Sequence, residues 1–182
     1  EMGDYSAAES QLEVAANLAE GDEEGLSAIR YLLGIVYEEQ GRDELALSMW
    51  RANLARDSED PDSNNAIAYH FSQRGINLDE AKGFVEKALQ NDGENAAYLD
   101  TLGWIYYKMG DYASAVEVLS KAADKLNDPT IFDHLGDALL AAGDRAGAVD
   151  TWHKALASNP KDRERIKIEE KIAGNSTNGI AE

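Results

Sequence analysis

The residues through which this chain could do chemistry are its histidines, its carboxylates and its aromatics, and their spacing limits what that chemistry is. His70, His134 and His153 stand at unrelated positions, and none has a second His or Cys at metal-ligand spacing. They read as ordinary surface or boundary histidines. Cysteine is absent, which removes a thiol nucleophile, a disulfide framework and a thiolate metal site. There is no glycine-rich phosphate loop, no Gly-x-Ser-x-Gly turn and no histidine metal motif. Asp and Glu number 35, but abundance does not make a catalytic pair, because one member must be desolvated to do acid–base work. No catalytic residue, cofactor or metal is therefore expected. The formal charge of −18 repels nucleic acid and anionic lipid, and favours a basic or neutral polypeptide partner. No apolar run approaches the roughly 20 residues needed to cross a bilayer.

The elements that must position these residues show best between Tyr98 and Ala122. Leu99, Leu102, Ile105 and Tyr106 recur at helical spacing, as do Val116, Leu119 and Ala122, with a turn at Met109-Gly110-Asp111 between them. Small residues, Gly103 and Ala115, sit where two paired helices should come closest. The pattern returns along the chain. Leu33-Gly34, Ile67-Ala68, Leu102-Gly103 and Leu135-Gly136 are equivalent pairs spaced 34, 35 and 33 apart. Gly41, Gly75, Gly110 and Gly143 are the turn glycines, and Ala46, Ala81, Ala115 and Ala148 the small residues of the second helices. The second repeat carries one additional residue between its turn glycine and its alanine, which a surface loop tolerates.

A period near 34 with this Leu-Gly, Tyr, Gly-Asp-Tyr and Ala pattern resembles the tetratricopeptide repeat, over residues 1 to 160. The resemblance implies an all-α right-handed solenoid of helix-turn-helix repeats. Residues 1–20 read as the second helix of an incomplete repeat, with Val14 and Leu18 on its packed face. Full repeats follow at 26–58, 61–93, 95–128 and 129–160, after an acidic hinge at 21–25. Leu32, Leu33, Val36 and Tyr37 face inward in the first of them. Residues 161–173 read as a charged capping helix with Ile166, Ile168 and Ile172 inward, and 174–182 as a disordered tail. Asn53 stands where other repeats carry Ala15, Ala88, Ala122 and Ala155, and must find a hydrogen-bond partner if buried.

In proteins of this family the first helices line the inner surface of the superhelix. Carried onto this sequence, the resemblance implies a groove containing Tyr31, Ile35, Asn65, Tyr69 and Asp100, then Trp104, Tyr107, Asp133 and Asp137. Such a groove is aromatic in its first three repeats and acidic in its last two. Tyr and Trp give rigid contact area with a polar edge. Asp133 and Asp137, near Asp100, suit Lys or Arg on a ligand; a metal on the same three is the weaker alternative, because spacing does not imply its geometry. Some members hold acidic chaperone tails in a clamp of Lys, Arg and Asn. The matching places here are Tyr31, Asn65, Asp100 and Asp133, which argues against that ligand.

The runs LDTLGWIYYKMG, DPTIFDHLG and AVDTWHKAL, with Asn65 to Tyr69, resemble the C-terminal repeats of bacterial envelope proteins, often lipoproteins, that act as adaptors and assembly factors. That resemblance implies a periplasmic or envelope setting ahead of the cytoplasm. The chain opens at Glu1 within a repeat and is expected to be a piece of a longer protein. The functional expectation is a non-catalytic scaffold that binds a peptide or partner protein in its concave groove. The alternative is a self-association module that forms homo-oligomers through the incomplete N-terminal repeat.

Overall fold

Six of the helices start on a side chain that accepts from the freed backbone amides of the first turn. Asp22 accepts from Gly25 N at 3.0 Å, Asp60 from Ser63 N at 2.7 Å and Asn95 from Ala97 N at 3.1 Å. Asp111, Asp128 and Asp144 do the same for Ser114, Thr130 and Gly147. Pro61 and Pro129 follow their caps at the first helical position, where a missing N–H costs nothing. The computed structural model describes residues 5–19 and 21–176. Its helices are α1 Tyr5–Leu18, α2 Glu23–Glu39, α3 Asp43–Arg56, α4 Pro61–Arg74 and α5 Leu78–Asn91. They continue as α6 Ala96–Met109, α7 Tyr112–Lys125, α8 Pro129–Ala141, α9 Arg145–Ala157 and α10 Asp162–Asn175. Among the described residues there is no strand.

Each helix packs on the next in sequence, and α6 also touches α4 and α8. The result is an α-solenoid in which α2, α4, α6 and α8 form one layer and α3, α5, α7 and α9 the other. The paired helices approach closely where the sequence provides small residues. A Cβ on Gly34 would collide with the indole of Trp50, and one on Gly136 with that of Trp152. Both indoles are fully buried. The bare glycines also leave helix carbonyls within reach, so Trp50 Nε1 donates to Tyr31 O at 3.2 Å and Trp152 Nε1 to Asp133 O at 3.3 Å. Counting from the buried alanines, Val85 and Leu119 stand in the places of the two tryptophans. Partner size therefore follows the small residue opposite: Gly34 and Gly136 face Trp, Gly103 faces Leu119, and Ala68 is paired with Val85.

The turns follow from the same logic. Gly110 closes α6 at φ 82°, and Gly75 closes α4 at φ 65°, a conformation costly for residues with a Cβ. The additional residue of the second turn is absorbed by Asn77, also left-handed at φ 50°, which Asn tolerates better than most residues.

Several sequence expectations need correction. The supposed hinge 21–25 is mostly helix, because Asp22 caps α2 and Glu23 and Glu24 favour its positive end. Leu32 is 45% exposed instead of inward, and Val14 and Leu18 are 58% and 84% exposed. Helix α1 joins the core through Leu12 and meets its neighbours by polar contacts, Glu9 with Arg42 at 2.7 Å and Tyr5 with Glu39 at 3.0 Å. Ile166 is exposed, while Ile168 is buried against α8 and α9 with Ile172 beside it. Helix α10 continues through Gly174 to Asn175, since Ser176 N still donates to Ile172 O at 2.7 Å. Residues 1–4 and 20 of the expected first helix and residues 177–182 of the expected tail lie outside the described residues.

Candidate functional site

The groove positions lie along α2, α4, α6 and α8, and the structure sorts them into two kinds. Tyr31, Asn65, Tyr69 and Tyr107 are half-buried, and Ile35 is exposed. These are available to a partner. Trp104 and Asp100 are both 7% exposed and belong largely to the interior.

Trp104 is the centre of a stack. Its ring lies 4.5 Å from Tyr107 and 4.0 Å from His134, near parallel to both. Lys108 Nζ sits 4.7 Å from its ring centroid, within the reach of a cation–π contact. Helical spacing places Tyr107 one turn after Trp104, whereas His134 comes from the next repeat. His134 Nδ1 in turn donates to Asp100, 2.9 Å from Oδ1 and 3.1 Å from Oδ2. Burial works against the imidazolium, but the charge and hydrogen bond of Asp100 outweigh it, with help from Asp133 and Asp137. The His134 pKa is therefore raised above its ordinary value. This overturns the reading of His134 as a surface or boundary residue. His70 is likewise buried, 2.9 Å from Glu38, with its ring edge-on to Trp50.

The acidic end of the groove is occupied from within. Lys171 of α10 donates to Asp133 at 2.7 Å and to Asp137 at 2.9 Å. Burial pushes the Asp137 carboxyl up despite the pull of Lys171. The carboxylates assigned from sequence to a ligand's Lys or Arg thus already hold His134 and Lys171. The charged partners lie one period apart, Asp100 with His134 and Asp137 with Lys171 both 34 residues apart. That spacing is the signal that would have found them. Among the described residues no cluster of three or more His, Cys, Asp or Glu could hold a metal.

Between the first helices lies a cleft of about 180 Å³ lined by Asn65, Tyr69, Asp100, Thr101, Leu126 and Ile131, among others. Tyr69 has its phenol pushed up to about 12, first by burial and then by the field of Asp100 and nearby glutamates. It is a hydrogen-bond donor at any physiological pH. Asn65 Oδ1 and Trp104 Nε1 are buried without a partner among the described residues, one an open acceptor and the other an open donor.

Stacked helical hairpins with a lined inner face define a helical-repeat scaffold. Residues 96–124 match the family model of the tetratricopeptide repeat. A TPR repeat-containing protein of Pseudomonas aeruginosa, PA4667, is 31% identical over 84 residues, 46% of this chain and 14% of that protein. The CTR9 homolog of Arabidopsis thaliana is 29% identical over 144 residues, 76% of this chain and 13% of that protein. The chain therefore spans only a small part of these relatives. Among solved structures, the thermophilic TPR protein TTC0263 of Thermus thermophilus superposes with a TM-score of 0.79 at 21% identity, covering 94% of this chain and 92% of that one. The Cut9–Hcn1 hetero-tetramer of the APC/C gives 0.78 at 16% identity, over 93% and 33%. Pseudomonas aeruginosa PilF gives 0.67 at 21%, over 86% and 79%. Residues 96–124 thus carry a tetratricopeptide repeat, and the chain as a whole has the fold of the solved tetratricopeptide-repeat structures. Among the described residues no helix is long and apolar enough to cross a membrane.

Proposed function

We propose that the protein is a non-catalytic scaffold that holds a segment of another polypeptide along its inner wall. The observation that carries this reading is the unmatched set on consecutive first helices. Ile35 and the half-buried Tyr31, Tyr69 and Tyr107 offer contact area, while Asn65 Oδ1 and Trp104 Nε1 lack partners among the described residues. Peptide backbone supplies a donor and an acceptor at each residue and can pair with the tyrosine hydroxyls of this wall, while the two buried atoms lie just beneath it. The Trp104 stack fixes the middle of that wall, which reduces the ordering cost of binding. A bacterial envelope setting belongs to the same reading, supported by the sequence runs in α6, α8 and α9.

A photo-crosslinking residue in place of Ile35, or of the exposed Gln73 one turn after Tyr69 on α4, tests it. The expected product is an adduct with a different polypeptide, lost when Tyr69→Ala and Tyr107→Ala are combined. Adducts confined to a second copy of this chain would refute it. The second reading, self-association, is favoured by exposed Val14 and Leu18 on α1. It requires a concentration-dependent oligomer in light scattering that Leu18→Lys dissolves, and a strict monomer excludes it.

A further inference from the structure

A larger cleft, about 530 Å³, lies where the first half of α2 meets the last turn of α3 and the start of α4. Glu24, Asp60 and Asp62 line it with Tyr31 and Asn53, and Arg56 is the sole cation among its lining residues. None of these four charged side chains makes an ion pair among the described residues. Asp60 and Asp62 each spend an oxygen locally, on Ser63 N and on the Tyr98 hydroxyl. Asn53 is 1% exposed. Its Nδ2 donates to Ser27 O at 2.9 Å and to Ser63 Oγ at 3.2 Å. A carbonyl only accepts, so the amide orientation is fixed and Oδ1 is an acceptor. That oxygen has no partner among the described residues. The Tyr31 phenol is raised by burial and then by Asp62 and Asp60, a sign of the negative field across the cleft.

We infer that this cleft is a subsite for a guanidinium, an arginine side chain of the polypeptide held along the inner wall. The inference rests on the groove-binding reading and names the chemistry at one end of it. A guanidinium carries a planar fork of five donors and no acceptor. It can meet two carboxylates and the open Asn53 oxygen together, with the Tyr31 ring as a face to stack on. An ammonium has the charge but not the fork. The site also explains why Asn stands at 53 where Ala88, Ala122 and Ala155 fill the same place in other repeats. It moves the basic contact from Asp133 and Asp137, which hold Lys171, to the opposite end of the solenoid.

The test is an NMR titration of the labelled protein with N-acetyl-arginine methylamide, its lysine counterpart and the neutral citrulline isostere. Saturable shifts at the Asn53 side-chain amide and at the Ser27, Ala28 and Tyr31 amides are expected with arginine. They should be weaker by about fivefold or more with lysine and absent with citrulline. Asp60→Asn keeps the cap acceptor, and Asn53→Ala restores the residue of the other repeats. Each should weaken arginine binding by about fivefold or more, as should Asp62→Asn if Asn53→Ala fails to fold. Equal binding of lysine, equal binding of citrulline, or no saturable shift at these residues overturns the assignment. The crosslinking at Ile35 and Gln73 is independent of this cleft, so loss of the arginine site alone leaves the groove reading standing.

Discussion

His134 shows how much a single side chain is asked to do here. It closes the Trp104 stack on one face and holds Asp100 through Nδ1, joining two repeats at one ring. Removing one member of a buried charged pair leaves the other uncompensated. Asp100→Ala should therefore destabilise the protein by about 3 kcal/mol, the low end for such pairs because the imidazole can shed its proton. Urea unfolding monitored by far-UV circular dichroism measures it. The pair also sets a pH dependence. The folded pKa of His134 lies above the ordinary 6.5. Its contribution is then complete below about 6.5 and is lost as pH rises through the folded value, at up to about 1.4 kcal/mol per pH unit. Asp100→Asn should flatten that slope, and an unchanged slope would place the titration elsewhere. Lone histidines gave no hint of this from sequence, since an unpaired-looking His reads the same on a surface as in a buried bridge. Asn53 was legible as an anomaly because four alanines set the expectation against it. Its free oxygen was not legible, since that depends on which way the amide turns.

At the level of helices, local chemistry carried most of the information. Asp before a helix, Pro at its first position and Gly after its end act within a few residues, so the turns at Gly75 and Gly110 could be placed without coordinates. The failures came from facing. Leu32 and Ile166 have the right spacing for the packed stripe but sit at its edge, and periodicity alone does not say where a stripe stops. The close approach of paired helices makes its own prediction. Gly136→Ala drives a Cβ into the Trp152 indole and should cost about 2–3 kcal/mol. The second repeat shows the compatible combination, Ala68 with Val85. Placing Trp152→Val beside Gly136→Ala should recover part of the loss, with a coupling of at least about 1 kcal/mol in a double-mutant cycle. Additive losses would mean that the collision is relieved by backbone movement instead.

A solenoid of this kind transmits stability only between neighbours, so the final helix matters most for the repeat beneath it. Helix α10 looked from sequence like a charged cover made for solubility. The structure gives it a second task, because Lys171 reaches back to Asp133 and Asp137 and neutralises the acidic end of the inner wall. With a formal charge of −18 the molecule has few cations to place, and this one is set between two carboxylates of α8. Lys171 was read as one more charge in KDRERIKIEEKIA, because its target lies one whole period upstream. Lys171→Met keeps the stem length and removes the charge. It leaves Asp133 and Asp137 facing each other without their ammonium partner, a loss of about 1–3 kcal/mol for partly exposed groups. The loss should stay local. Amide hydrogen exchange should accelerate in α8, α9 and α10 and remain as it was in α2 to α5. A uniform acceleration along the chain would show instead that the repeats unfold as one cooperative unit. The variant should also gain affinity for N-acetyl-lysine methylamide at α8, because the carboxylates that Lys171 held are returned to solvent.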